Sequence, residues 1–320
     1  MRPFALPVIH RWQAIQAGRD ERRRRLEERS RLEETVRTGT PILEDAHGCR
    51  FVLYPFDKSN LANVLARTAD VKEFKAIPLL VRDGAVAFDV GANVGVYSVF
   101  LSRLCGPTGR VFSFEPVPDT YWRLRETLVL NRCENVVAVQ VAICENGGTA
   151  QMNLFDDEFA EWNTLGKPKM TSSSGLTLQP KRSVSVPAYT LDQFCEANQV
   201  SQINLLKIDV EGFELHAFRG ATRLLRERRI DCICFEISKD PLKGAGVESR
   251  DVFSALEEYG YLSYRFDMKT CRFEGPVHDT GEFWANFFAS FNDLTKIDNT
   301  LRSNEVALYE SASTLERLSQ

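Results

Sequence analysis

Apolar positions along this 320-residue chain fall into short runs that repeatedly end on an acid. Val86, Ala87 and Phe88 lead to Asp89. Val111, Phe112 and Phe114 lead to Glu115. Leu205, Leu206 and Ile208 bracket Lys207 and lead to Asp209, and the stretch 231–237 (DCICFEI) carries Glu236 near its end. Short apolar runs rich in β-branched and aromatic residues read as buried strands. Between the first two, Val94, Tyr97, Phe100, Leu101 and Leu104 recur at helical spacing. Strands alternating with helices predict an α/β fold around a mostly parallel sheet. Leu256, Tyr259 and Gly260 suggest a helix running into Tyr261–Phe266, and 284–289 (WANFFA) reads as a last strand, antiparallel to its neighbour.

The flanks are different in kind. From Arg19 to Glu34, seven arginines stand against six acids, with Glu21–Arg25, Arg24–Glu28 and Glu27–Arg31 at i,i+4 spacing. This is the pattern of a solvated, salt-bridge-laced helix. A homodimer contact or an anionic membrane surface is the alternative use of it. A strand is expected at 49–54 and a short helix at 61–67. The chain therefore divides into a charged helix and cap segment (1–80), a core domain (81–290) and a polar tail (291–320). Within the core, 155–182 interleaves Asp156, Asp157, Glu158 and Glu161 with Phe155, Phe159 and Trp162. A loop this long inside a compact domain is usually functional or disordered. It is read as a substrate lid, against the plainer reading of a loop whose aromatics anchor in the core.

Composition narrows the class. The formal charge of −4 argues against a nucleic-acid binder, which usually carries a basic footprint. Eight scattered cysteines without a C-x-x-C read as small core residues of a reducing compartment, which places the protein in the cytoplasm. No apolar run reaches membrane-spanning length.

The candidate chemistry sits at the predicted strand ends. Gly91, Asn93 and Gly95 follow Asp89 at alternate positions, a strand–tight turn–helix arrangement that lets a ligand approach the backbone. A dinucleotide fingerprint counted from Gly91 would need glycine where the chain has Asn93 and Val96. The D-x-G-x-N-x-G pattern instead resembles the first motif of S-adenosylmethionine (SAM) dependent methyltransferases. Glu115 can accept hydrogen bonds from both ribose hydroxyls of an adenosine-type ligand. In INLLKIDVEG (203–212), Lys207, Asp209 and Glu211 alternate, so a strand lasting to Glu211 would line three ionisable groups along one face. In an open α/β sheet Asp89, Glu115, Asp209 and Glu236 would all face one crevice.

VAFDVGANVGVYS, VFSFEPVPDTYWRLRETLVLN, YTLDQF, INLLKIDVEGFELHAFRGATRLL and CFEIS, in that order, resemble the FkbM family of SAM-dependent methyltransferases over about 81–290. The resemblance implies a class I methyltransferase sheet, Rossmann-like, of seven strands with one antiparallel. It implies SAM as cofactor and O-methylation of a hydroxyl on a sugar, glycan or secondary metabolite. By position, Asp89, Gly91, Asn93, Gly95 and Glu115 look like the SAM site, and Lys207, Asp209, Glu211 and Glu236 like the reaction end. Asp209 is the first candidate for general base and Glu236 the second, with His216 a weaker third. Mg²⁺ held by Asp209 and Glu236 is the disfavoured variant. Methylation of a peptide or amide nitrogen, or SAM binding without catalysis, are the alternatives in other classes.

Overall fold

The computed structural model describes residues 41–45, 47–54, 71–166, 170–171 and 177–297. The charged helix expected at 19–34, the helix expected at 61–67 and the tail past 297 lie outside the described residues.

Elements follow in chain order. β1 (Ile42–Glu44) and β2 (Arg50–Val52) form an antiparallel hairpin, so the strand expected at 49–54 pairs outside the main sheet. Then come α1 (Lys72–Leu80), β3 (Val86–Val90), α2 (Val96–Cys105), β4 (Arg110–Phe114), α3 (Pro118–Leu130), β5 (Val136–Val139), β6 (Ala142–Ile143) and β7 (Gly148–Leu154). β8 (Met170–Thr171) and β9 (Thr177–Leu178) pair with each other. They precede β10 (Arg182–Tyr189), α4 (Leu191–Ala197), β11 (Ile203–Ile208), α5 (Glu214–Arg219), α6 (Thr222–Arg226) and β12 (Ile230–Ser238). α7 (Lys239–Ala245), α8 (Ser249–Glu257), β13 (Leu262–Asp267), β14 (Arg272–Val277) and β15 (Trp284–Ser290) complete the series.

The main sheet has eight strands in the order β14-β13-β15-β12-β11-β3-β4-β5. β5, β4, β3, β11 and β12 pair in parallel. β15 lies antiparallel between β12 and β13, as expected for the last strand. Seven strands give the expected mostly parallel arrangement, and β14 adds an eighth, antiparallel to β13 at the edge. Edge strands tolerate proline, which explains Pro276 there.

Strand alternation sorts the apolar side chains to two faces. Phe88, Phe112, Phe114, Leu206, Ile208 and Phe235 pack on one side. Ala87, Val111, Leu205, Cys234 and Phe288 pack on the other, under Phe74 and Ile77 of α1 and Phe100 and Leu101 of α2. Period two therefore puts Asp89, Lys207 and Glu236 on the face that α1 and α2 cover. None of the eight cysteines forms a disulfide, and Cys271 alone among them is exposed. Among the described residues no helix is long and apolar enough to cross a membrane.

The segment 155–182 contains more regular structure than an open loop. A 3₁₀ turn covers Asp157–Trp162, Asn153 bridges Thr164, and the β7–β10 pair clasps the base. Phe155 is buried, whereas Trp162 is half-buried and stacks on Phe159 with centroids 4.9 Å apart.

Candidate active site

The glycine turn after β3 is shaped by contact with β11. Gly91 has φ +78°, and a Cβ there would lie 1.8 Å from the carbonyl oxygen of Asp209. Only glycine permits both the left-handed backbone and that approach. The turn is tied to β4 as well: the N–H groups of Gly91 and Ala92 both donate to the Phe114 carbonyl, at 3.0 and 2.9 Å. Asn93 is left-handed at φ 48°, and Gly95, at φ 93°, caps α2 without any side-chain cap. The first N–H groups of α2 thus remain open to an anionic group.

Glu115, just past β4, closes this end. Its Oε2 accepts from the Asn93 N–H at 3.0 Å and its Oε1 from the Val117 N–H at 2.9 Å. Each oxygen keeps a lone pair for a second donor. Burial pushes the carboxyl up to about 7, against the two N–H bonds that favour its charge. A ribose diol donating to both oxygens would favour the ionised form and reverse part of that shift.

Asp89 is fully buried. It accepts from the Ser98 hydroxyl of α2 at 2.6 Å and faces the Lys207 ammonium at 3.7 Å, so it reaches the cofactor end through α2 and Lys207. Lys207 is 3.1 Å from Asp209 and sits over the Tyr97 ring at 4.6 Å. Burial alone would lower its pKa, but Asp209 and Asp89 outweigh it and hold the ammonium above its ordinary range.

β11 ends at Ile208, three residues short of the strand needed to line up Glu211 by alternation. Glu211 instead adopts φ 50°, and this turn still brings it in. Carboxylate oxygens of Asp209, Glu211 and Glu236 all lie within 4.8 Å of one another. Burial, then the charges of Asp209 and Glu214, push the Glu236 carboxyl well above the usual range, while the nearby Trp284 side chain pulls the other way. Among the described residues Lys207 is the one buried lysine facing these acids. The crevice is short of positive charge, which fits a sulfonium cofactor. Three oxygens at this spacing could also hold Mg²⁺, with Lys207 competing for Asp209.

Two acids escaped the sequence reading. Glu73 of α1 is buried near Asn286 of β15, its Oε1 has no hydrogen-bond partner, and burial raises its carboxyl. Pro78 inside α1 hid the helix from a periodicity search, since proline ordinarily breaks one. Glu214 is buried where α5 begins; its Oε1 accepts from the Val210 and Gly212 N–H groups at 3.1 and 3.4 Å, while its Oε2 has no hydrogen-bond partner. Its spacing from Asp209 was a usable signal. His216 stacks on Phe213 at 4.4 Å, and burial lowers its pKa, so it stays neutral.

Burial raises the Glu214 carboxyl to about 7 from an ordinary 4.5. A raised carboxylate contributes stability below its unfolded value and loses it as pH climbs through the folded one. Glu214→Gln keeps an acceptor for both N–H groups and cannot ionise. The variant is expected to match wild type in thermal melts at pH 5. At pH 8 it should be more stable by roughly 1–3 kcal/mol. Equal pH dependence in the two proteins would contradict the assignment.

With this geometry in place, the comparisons are specific. The model of the methyltransferase FkbM domain matches residues 89–263, which run from Asp89 through Glu236 and stop short of β15. The match covers more than half of the chain, and the chain belongs to this family. Hexuronic acid methyltransferase AglP of Haloferax volcanii is 28% identical over 175 residues, covering 54% of this chain and 62% of AglP. The chain thus spans less than two thirds of that relative's length. 2-O-methyltransferase NoeI of Sinorhizobium fredii is 27% identical over 188 residues, 57% of this chain and 75% of NoeI. A SAM-dependent O-methyltransferase structure from Thermotoga maritima aligns with TM-score 0.37 and 13% identity, over 78% of this chain and 77% of that one.

Proposed function

We propose that the chain transfers the methyl group of SAM to a hydroxyl of a sugar, glycan or small metabolite. One observation carries the reading: Asp89, Glu115, Asp209 and Glu236 stand at the ends of four neighbouring strands, with Lys207 clamped between Asp89 and Asp209. Cofactor end and reaction end thereby share one crevice at the carboxyl ends of the strands. The names of AglP and NoeI support a sugar-type acceptor.

SAM, when bound, supplies an electrophilic methyl group on a cationic sulfur. The glycine turn and Glu115 would hold its adenosine half. Positioning for in-line displacement is worth roughly 7–11 kcal/mol where it is well achieved. Asp209 takes the acceptor proton, held in place by its bond to Lys207. The Lys207 ammonium, kept charged by two acids, steadies the oxygen as it loses its proton. Burial raises the Glu236 carboxyl and so favours its neutral form, which limits negative charge at that end.

S-adenosylhomocysteine at one hundred times its Kd is expected to stabilise wild type by about 2.7 kcal/mol, a shift of several degrees. Glu115→Ala should weaken that shift at the same concentration. No shift for a folded wild type would sink the SAM reading. Since Lys207 already engages Asp209, turnover is expected to survive EDTA. Loss of turnover that Mg²⁺ restores would instead assign the Asp209–Glu211–Glu236 oxygens to a metal.

A further inference from the structure

β15 runs against its parallel neighbours, so its first residue, not its last, lands at the mouth of the crevice. That residue is Trp284. It pairs with Ser238, and Asn286 pairs with Glu236, so Trp284 and Glu236 are diagonal neighbours on one face. The Trp284 side chain stands near enough to the Glu236 carboxyl to favour its charged form. Indole offers only its ring N–H as a donor, and Glu236 is the acid on its own face of the sheet. Yet the residue is 55% exposed, and Phe283 beside it is 58% exposed. The backbone here is fixed as well: the Lys239 N–H donates to the Phe283 carbonyl at 3.0 Å, and Lys239 Nζ to the Gly281 carbonyl at 2.8 Å. A tryptophan this exposed, on the same face as Glu236 and one strand from it, is an unusual surface feature beside the reaction end.

We propose that Trp284 is the acceptor platform: a pyranose ring lays its C–H face on the open indole and presents a hydroxyl to Asp209 and Glu236. The inference rests on the proposed methyl transfer and adds the acceptor's seat to it. Sheet order supports the assignment. Strands lie about 4.8 Å apart. Glu115 and Asp209 extend from strands two apart, β4 and β11, and Trp284 is on a strand two beyond β11, so roughly 10 Å separates each pair of strands. Asp209 thus stands midway between the ribose-binding acid and the indole, where a reacting oxygen must be. The aromatic face supplies apolar contact to ring C–H groups without adding charge beside the acids. Trp162, by contrast, has one of its faces on Phe159.

The test uses the full chain labelled with 5-fluorotryptophan and saturated with S-adenosylhomocysteine, whose binding is measured separately by calorimetry. Trp284→Phe assigns the Trp284 fluorine resonance by its disappearance, and the exposed position should tolerate the change. Methyl α-pyranosides of glucose, mannose, galactose and rhamnose are then titrated in turn. The expected result is a saturable shift of the Trp284 resonance with at least one glycoside, while the Trp12, Trp122 and Trp162 resonances stay in place. No shift with any of them, or a shift reproduced by equal glycerol, overturns the platform. Failure of S-adenosylhomocysteine to bind in calorimetry marks a failure of the methyltransferase reading instead. The glycoside titration reports on Trp284 in either case.

Discussion

Asp209→Asn is expected to lower the methyl-transfer rate by about 10²–10⁴-fold, the usual worth of a positioned general base. S-adenosylhomocysteine affinity should change little, because the residues that hold the adenosine half lie on other strands. Asparagine keeps the shape of the side chain and an oxygen for Lys207 but cannot accept the acceptor's proton. The loss should therefore fall on kcat, and raising the pH should not rescue it. Glu236→Gln provides the contrast. Burial favours the neutral form of Glu236, which the amide resembles, so the rate should fall far less. Equal losses in the two variants would move the base away from Asp209.

Gly91→Ala is expected to cost more than about 3 kcal/mol of stability, among the larger single-residue effects. The added Cβ meets the Asp209 carbonyl oxygen at 1.8 Å, and the residue's φ of +78° disfavours any side chain. Backbone must therefore separate from backbone, opening β3 from β11 where Lys207 and Asp89 face each other. A melting temperature lower by roughly 6–12 °C follows for a domain of this size. A variant that melts like wild type would show that the turn is not pressed against β11. Alanine at Gly246 makes a useful control: its φ is also positive, at +73°, but a Cβ there meets nothing within 4 Å.

Most of the sheet was legible in the sequence because its strands are buried, apolar and end on acids. Asp89, Glu115, Asp209 and Glu236 announce themselves since a charged group at the end of a buried strand is expensive without a purpose. Glu211 was found for a reason that did not hold. Alternation along a strand pointed to it, yet the strand stops at Ile208 and a left-handed turn delivers the carboxylate instead. Glu73 was invisible because its helix contains Pro78 and its neighbour, Asn286, lies far away in the chain. The short strands β8 and β9 within 155–182 were not legible, because two residues are too few to show a period. Trp284 was legible as the start of a strand, but its place beside Glu236 depends on which neighbour that strand pairs with.

The position of β15 has a consequence for synthesis. The chain lays down β12 and β13 first, leaves a gap between them, and fills it with residues 284–290. Until those residues emerge, Glu236 lacks Trp284 and Glu73 lacks Asn286. A ribosome-bound chain that ends before 284 would hold the glycine turn and the acids of β11 yet present two unpaired strand edges to solvent, the state most open to mispairing. The candidate site is thus completed only when one short segment threads between strands already made.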